Sequence, residues 1–397
     1  MATLLLLIIY LVFISLGLPD SLLGAAWPVM RHDLGAPLGM AGVLSVTVTV
    51  GTIVSALSTS HVVRRIGTAR TTLISVVLTA GALLGFSIAP SFVWLIVFAI
   101  PLGLGGGAVD SALNHYVAGH YAAHHMSWLH CFWGVGVTVS PMIMAAYLDG
   151  GAWRNGYLVT GLIQAGIAAT LLASLPLWRR MEKARTDERR SGPADEPAAG
   201  ADGGSGPRNR AGVKYALLTF LFYCGVELTA GLWGSSYLVN IKGLPADDAA
   251  MWISIYWAGL TIGRLVNGFV TFRYSSKTLI RAGEIITLAG TALLLLPLPA
   301  EVSAVGLLIT GFGLAPIFPS MLHETPVRFG EAHAGKIMGW QMATAYTGAA
   351  VLPPLFGWLA GQTTIGLFPL YMALMAAAML LATERLNLLL GRRNDAA

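Results

Sequence analysis

Residues 92–116 read FVWLIVFAIPLGLGGGAVDSALNHY, and this stretch decides the fold. It is apolar, then rich in glycine, then apolar again, and it is long enough for a helix that crosses a lipid bilayer. Asp110 and Asn114 lie four residues apart, so their carboxyl and carboxamide groups share one helix face. The glycines before them let another helix or a ligand approach closely. Because a carboxyl at membrane depth by default marks a pathway or proton site, we predict that Asp110 couples transport to a proton.

The composition is typical of a membrane protein. The chain has 397 residues, of which 55% are apolar and 11% are charged, whereas soluble domains are about 25% charged. Apolar runs of about 20 residues recur along the chain, as membrane-spanning helices require. The basic residues lie in the loops between these runs, so the net charge of +5 indicates membrane orientation rather than nucleic-acid binding. Motifs for nucleotide binding and covalent catalysis are absent from the sequence, and we predict no enzyme activity, no cofactor and no metal site.

We predict an all-α integral membrane protein with twelve transmembrane helices in two pseudo-symmetric six-helix bundles. The predicted spans are 4–29, 39–62, 70–89, 92–118, 127–149, 154–177, 213–239, 249–271, 278–297, 302–323, 334–360 and 365–389. Residues 1–178 would form the N-terminal bundle and residues 213–397 the C-terminal bundle. Residues 179–212 are charged and rich in Gly, Pro and Ala, which predicts a flexible cytoplasmic linker.

The Lys and Arg residues indicate the orientation. If the linker is cytoplasmic, 20 of the 24 Lys and Arg residues face the cytoplasm, and only Arg31, Arg154 and Lys242 face outward. By the positive-inside rule, both termini are then cytoplasmic. We therefore predict a multi-pass protein of a bacterial inner membrane. Its partners would be the lipid bilayer, a small-molecule substrate and a proton, and we expect it to be a monomer.

Besides Asp110, three charged residues of the predicted spans are hard to explain as surface residues: Asp20 in the first, Glu227 in the seventh and Arg264 in the eighth. In repeat architectures of this kind the substrate binds near the midplane between the halves, so Asp20 and Glu227 are expected to face each other there. Arg264 needs a partner, because an unpaired guanidinium in a low-dielectric core is strongly unfavourable. We predict that Glu227 pairs with Arg264 in a structural or gating ion pair. Asp110 and Asp20 then remain as proton-coupling acids, with a satisfied structural carboxyl as the alternative at Asp110.

Candidate substrate-binding residues are polar or aromatic side chains of the spans. Trp133 offers an apolar plane and one N–H donor, which suits the C–H face of a sugar ring, and His130 lies three residues earlier on the same face. The full predicted set is Asn114, His130, Trp133, Trp233, Asn267 and Gln341. The alternatives are an interfacial position for His130 at a helix end and simple packing for Trp133.

Histidines are concentrated between residues 115 and 130, at positions 115, 120, 124, 125 and 130. His120 and His124 have a spacing that can bind a metal on a helix. Because cysteine and acidic residues are absent within six residues of His120 and His124, we favour a solvated cytoplasmic loop.

Several segments resemble one family. Two six-helix halves joined by a cytoplasmic linker are the architecture of the major facilitator superfamily. The chain resembles the fucose/glucose–proton symporter branch of that superfamily in both halves. The segments that carry the resemblance are GLGGGAVDSALNHY, LHCFWGVGVTVSP, YCGVELTAGLW, IYWAGLTIGRLVNGFVTFR and GFGLAPIFPS.

The resemblance implies proton-coupled uptake of a monosaccharide by alternating access. The acids that are important in helices one and four of the fucose permeases fall on Asp20 and Asp110, and the residues of helix five that touch sugar fall on about His130 and Trp133. Two rival functions stay open. One is a proton-antiport exporter of drugs or metabolites on the same fold, and the other is a sensor or assembly protein that transports nothing.

Overall fold

The computed structural model describes residues 2–121, 123–191 and 210–394. Regular structure in this part of the chain is helical throughout, without strands. The helices of the N-terminal half are α1 (Ala2–Gly17), α2 (Leu22–Asp33), α3 (Met40–Ile66), α4 (Thr68–Ile88), α5 (Phe92–His120), α6 (Ala123–Leu148) and α7 (Trp153–Ser191). Those of the C-terminal half are α8 (Arg210–Asn240), α9 (Ala246–Val270), α10 (Ser276–Leu295), α11 (Ala300–Leu314), α12 (Ile317–Phe329), α13 (Glu331–Gln362) and α14 (Phe368–Asn394). A short 3-10 turn, Ile365–Leu367, precedes α14.

Eleven segments of the described chain are long and apolar enough to cross a membrane, judged by length and composition. They match eleven of the twelve predicted spans, and the first and tenth spans each contain two helices. The remaining span, predicted over 334–360, is α13, which is less apolar because it is rich in Gly, Pro and Thr. The prediction of an all-α, multi-pass membrane protein is confirmed.

The first span is broken in the middle. Helix α1 ends at Gly17 and α2 begins at Leu22, so Pro19 and Asp20 lie between two helices. Proline has no backbone N–H to continue a helical hydrogen-bond ladder. The tenth span is broken similarly, between Leu314 and Ile317. The break in the first span positions Asp20 outside regular helix, next to the opposite helices of the bundle.

The helices pack as two halves that touch along four helix pairs. Within the described residues, the pairs in extensive contact across the halves are α2–α8, α2–α9, α3–α13 and α6–α9. Helices α2 and α8 are so close that a Cβ on Gly24 would clash with the carbonyl oxygen of Gly231. At the ends of these two helices, Arg31 Nη2 donates to Asn240 Oδ1 at 3.1 Å. The two halves are therefore closed at the end of the bundle where α2 ends and α8 ends.

The predicted start of the linker needs a correction. Helix α7 runs from Trp153 to Ser191, so it continues well past residue 178. Residues 179–191 consist mainly of good helix formers such as Arg, Lys, Glu and Met, which explains the extension. Residues 192–209 lie outside the described residues. The division into bundles at residues 178 and 213 stays a prediction.

The loop between the predicted fourth and fifth spans, over residues 119–126, is shorter than predicted. Helix α5 extends to His120 and α6 begins at Ala123, so most of this stretch is helical. The ring of His125 contacts the N-terminal helix, where the Tyr10 hydroxyl and His125 Nδ1 lie 2.8 Å apart. The part of the chain that the structure describes contains no group of three or more His, Cys, Asp or Glu side chains that could hold a metal ion.

Candidate functional site

Asp20 lies in the break of the first span, beside α6. The two helices meet closely there, because a Cβ on Gly17 would clash with the carbonyl oxygen of Trp133. Trp133 Nε1 donates a hydrogen bond to Asp20 Oδ2 at 2.8 Å. Asp20 is exposed although it lies midway along a membrane span, and we infer that its carboxyl faces the space between the halves, because its partner Trp133 contacts the C-terminal half.

Trp133 connects the two halves of the protein. The guanidinium Cζ of Arg264, on α9, lies 5.3 Å from the centroid of the Trp133 ring. This distance permits a cation–π interaction. Trp257 of α9 meets the same indole edge to face, with ring centroids 6.0 Å apart. The close approach of α6 and α9 depends on Gly134, since a Cβ there would clash with Thr261. One indole therefore contacts an acid of the N-terminal half and a base of the C-terminal half.

Glu227 and Arg264 form a buried ion pair within the C-terminal half. Arg264 Nη2 lies 3.0 Å from Glu227 Oε1, and the two side chains are only 16% and 9% exposed. The same nitrogen donates to the hydroxyl of Tyr223 at 3.2 Å. The structure thus places the two residues in the pair that the sequence suggested, and a pair this enclosed needs such extra hydrogen bonds. Its gating role stays a prediction.

Asp110 lies half-buried on α5, and Asn114 Nδ2 donates to its Oδ1 at 2.8 Å. The glycines before it serve close helix packing, because Cβ atoms on Gly103 and Gly107 would clash with carbonyl oxygens of α3. Across the space between the halves, Asp110 lies within electrostatic reach of Tyr346 on α13. Asp110 forms no ion pair with the described residues. Its negative charge is therefore balanced only by neutral hydrogen-bond donors.

The acids of the two halves approach one another. The carboxyl of Asp20 lies within electrostatic reach of both Asp110 and Glu227. His130 is exposed one turn before Trp133, and its ring meets Phe13 edge on with centroids 6.0 Å apart. It also lies within reach of the charge of Arg264. These residues form one group, which we call the cavity cluster: Asp20, Asp110, Asn114, His130, Trp133, Glu227 and Arg264.

Two predicted substrate-binding residues lie apart from the cavity cluster. Trp233 is fully buried, and its Nε1 donates to the carbonyl oxygen of Pro353 at 2.8 Å. Gln341 is also fully buried, and its Oε1 accepts from Thr325 at 3.0 Å. Both side chains pack inside the C-terminal half. Asn267 is buried one turn beyond Arg264, next to the cluster, and its Oδ1 lacks a partner among the described residues.

Sequence reasoning missed two polar residues of the spans. Tyr223 bonds to Arg264, and its position four residues before Glu227 on the same helix face could have revealed it. Glu284 is a fully buried acid on α10 whose Oε1 accepts from Thr383 at 2.5 Å. The available sequence signal is an acid within the ninth predicted span, about two turns from its basic end.

Comparison with known sequences identifies relatives along most of the chain. The family model for the Major Facilitator Superfamily matches residues 9–353 and 215–394. Bypass of stop codon protein 6 of Saccharomyces cerevisiae is 25% identical over 401 residues, which cover 92% of this chain and 79% of that protein. The Glucose/mannose transporter GlcP of Bacillus subtilis is 24% identical over 307 residues, covering 75% of this chain and 73% of the relative.

Solved structures share the fold. The xylose transporter XylE from E. coli in its inward open conformation superimposes with a TM-score of 0.74 at 13% identity, covering 96% of this chain and 95% of that one. A mutant form of the nucleoside transporter NupG gives a TM-score of 0.73 at 13% identity, covering 96% of this chain and 98% of that one. At this level of identity the likeness concerns the arrangement of helices alone.

Proposed function

The chain belongs to the major facilitator superfamily, and we propose that it is a secondary transporter that takes up a monosaccharide together with a proton. We place it in a bacterial inner membrane with both termini in the cytoplasm, following the distribution of Lys and Arg. The chain is a multi-pass membrane protein of a family of transporters, which supports a non-enzymatic role.

The observation that carries the proposal is the chain of contacts across the two halves. Asp20 accepts from Trp133, the Trp133 ring contacts Arg264, and Arg264 pairs with Glu227. Through these contacts, a change of charge at Asp20 alters the electrostatic environment of Arg264 on the opposite half. Alternating access requires such communication, because the halves must rock against each other around a fixed site.

Asp110 is the acid best suited to carry the coupling proton. Glu227 has a cationic partner at 3.0 Å, so its charge is balanced when it is ionised. The side-chain partner of Asp110 is the neutral Asn114, so proton binding relieves an uncompensated charge there. Asp20 accepts from the neutral N–H of Trp133 and lies in the break of the first span. This position suits a second acid whose protonation follows that of Asp110.

The cavity cluster offers the groups that a sugar needs. Asn114 Oδ1 is buried without a partner among the described residues and can accept a hydrogen bond from a hydroxyl. His130 supplies a ring nitrogen in the same space, and Trp133 an indole edge. The relative named as a glucose/mannose transporter supports a hexose as the first substrate to test. We leave Trp233 and Gln341 out of this site, because both are enclosed in the C-terminal half.

The conformation fits a carrier that opens toward the cytoplasm. The halves are closed at the end where Arg31 bonds to Asn240. We assign that end to the outside, because 20 of the 24 Lys and Arg residues are predicted to face the cytoplasm and Arg31 is predicted to face outward. The cavity cluster would then reach the cytoplasm in this state.

Accumulation of labelled hexoses in proteoliposomes tests the proposal. With an acid exterior we expect uptake against the sugar gradient, about tenfold per pH unit if one proton moves with each sugar. Liposomes without a pH gradient are the matched control and should only equilibrate. Expulsion of substrate driven by the same gradient would instead support a proton-antiport exporter of drugs or metabolites. Sugar binding without flux would support a sensor.

A further inference from the structure

A cleft with basic walls lies apart from the cavity cluster, between the α3–α4 turn and helix α7. Gly67, Ala69 and Arg70 line one side, and Trp178 and Arg179 line the other. We call these five residues the basic cleft. It lies at the ends of two predicted spans, residues 39–62 and 154–177, which places it at the boundary of the bilayer.

The start of α4 has several unsatisfied donors. The helix begins directly after Gly67, which makes no side-chain cap, and its first turn holds no acidic residue. The N–H of Thr71 bonds to the Gly67 carbonyl, so the N–H groups of the first turn have no intrahelical partners. The positive end of the helix dipole is therefore exposed to the cleft. Such a terminus favours an anion.

Two arginines add positive charge at the same place. Arg70 lies in the first turn of α4, where a cation is unfavourable for the helix itself. Arg70 and Arg179 are both exposed, and neither forms an ion pair with another described residue. Acidic side chains are absent from the lining of the cleft. Among the side chains that the structure describes, no acid balances the charge there.

The indole of Trp178 gives an independent indication of a ligand. Trp178 lines the cleft and is fully buried, yet its Nε1 has no acceptor among the described residues. A buried donor without an acceptor is unfavourable, and an oxygen supplied from outside the chain would satisfy it. A phosphate group combines negative charge with several acceptor oxygens.

We propose that the basic cleft binds the phosphate group of an anionic phospholipid. The arginines and the start of α4 would neutralise the phosphate charge, and Trp178 would donate to an oxygen of the headgroup. Lipids supply this chemistry at the depth where the spans end, and basic pockets between membrane helices on the cytoplasmic side commonly bind such headgroups. The site is independent of the transported substrate.

Native mass spectrometry of the purified full-length chain tests the site. The protein is titrated with phosphatidylglycerol and, separately, with phosphatidylcholine, and the bound fractions are compared. We expect preferential binding of phosphatidylglycerol. The double variant Arg70→Gln/Arg179→Gln should weaken it by about tenfold or more, because each basic residue near the surface contributes to attraction of anionic lipid.

The turn between α9 and α10 provides the matched control. The double variant Arg273→Gln/Lys277→Gln removes the same charge from two exposed residues at the corresponding place in the other half. There the start of the helix is capped, since Ser275 accepts from the Thr278 N–H. This variant should bind phosphatidylglycerol as the wild type does. Equal losses in the two double variants, or no loss in the first, would overturn the proposal.

Inorganic phosphate distinguishes a lipid from a soluble ligand. Displacement of phosphatidylglycerol by millimolar phosphate would identify a soluble phosphate as the ligand and overturn the lipid assignment. Retention of the lipid would support it. If the first double variant does not fold, the single variant Arg179→Gln is used, because this residue is exposed on the outside of a long helix.

Discussion

Two acids of the cavity cluster differ in what balances their charge. Glu227 shares Arg264 with Tyr223, whereas the described side-chain partner of Asp110 is the carboxamide of Asn114. A buried carboxylate with a cationic partner is held ionised by that partner, and one without is costly to ionise. On the basis of this difference we propose that Asp110 carries the coupling proton.

Substitution of Asp110 tests that assignment. Asp110→Asn should abolish accumulation of sugar driven by an acid exterior and leave exchange of sugar across the membrane partly intact. The loss is about tenfold in the accumulation ratio per pH unit applied. Uptake and exchange in proteoliposomes measure both properties. Asp149→Asn is the control, because Asp149 is an exposed acid at the end of α6. Unchanged uphill uptake in Asp110→Asn would remove Asp110 from the mechanism.

The ion pair makes an asymmetric prediction about stability. Arg264→Ala leaves the carboxylate of Glu227 buried and unpaired, which should cost roughly 3–5 kcal/mol. Glu227→Gln should cost less, because Arg264 is more exposed and keeps its contacts with Tyr223 and the Trp133 ring. Thermal unfolding in detergent and membrane abundance measure the difference. Equal, normal stability of both variants would reject a structural role for the pair.

The sequence revealed pairs of residues on one helix but not contacts between distant helices. Asp110 and Asn114 share a face of α5, and the helical repeat was enough to predict that they lie together. The hydrogen bond from Trp133 to Asp20 joins residues far apart in the chain, and it depends on the break after Gly17. Trp233 shows the opposite case, because its type suited a binding site but its position lies in the core.

At the scale of helices, some glycines of α5 lie against a neighbouring helix and others do not. A Cβ on Gly107 would clash with the carbonyl oxygen of Thr52, whereas one on Gly106 would meet only Leu16, at 3.8 Å. Gly107→Ala should therefore destabilise the N-terminal half by about 1–3 kcal/mol, as overpacking does. Gly106→Ala is the matched control and should be tolerated. Thermal unfolding of the two variants compares them, and a reversed order would contradict this packing.

The limits of the helices show which physical signals the sequence carries. Apolar runs of bilayer length gave the positions of the spans, because the bilayer fixes how long a spanning helix must be. The extension of α7 to Ser191 was missed, because a charged stretch was read as linker although its residues favour helix. Similarly, α5 and α6 extend a few residues beyond the predicted spans, because polar histidines at their ends interrupt the apolar pattern.

At the scale of the whole molecule, close backbone contacts and the hydrogen bond from Arg31 to Asn240 hold the closed end of the bundle. Gly24 and Gly231 allow α2 and α8 to touch, and Arg31 bonds to Asn240 beyond them. The proposed rocking of the halves would separate these groups. The bond is therefore expected to stabilise the conformation seen here relative to one that opens at this end.

Removal of that bond should shift the balance of conformations. Arg31→Ala should raise the population open at this end severalfold, since an exposed hydrogen bond contributes about 1 kcal/mol. The distance across this end is measured by electron paramagnetic resonance between spin labels attached to cysteines introduced by His32→Cys and Ile241→Cys. Cys131 and Cys224 are replaced by Ser so that they are not labelled. Lys242→Ala is the control, because the described bond of Lys242 stays within its own half, to the carbonyl oxygen of Leu298. An unchanged distance distribution in Arg31→Ala would contradict the view that this bond helps to hold the two halves closed.

Proton movement that depends on sugar is the most direct test of symport. The pH of a lightly buffered medium around deenergised cells is recorded while hexoses, pentoses and polyols are added one at a time. We expect alkalinisation with at least one sugar, and its absence in Asp110→Asn cells. Silence across the panel, with the protein shown to be folded, would contradict sugar–proton symport.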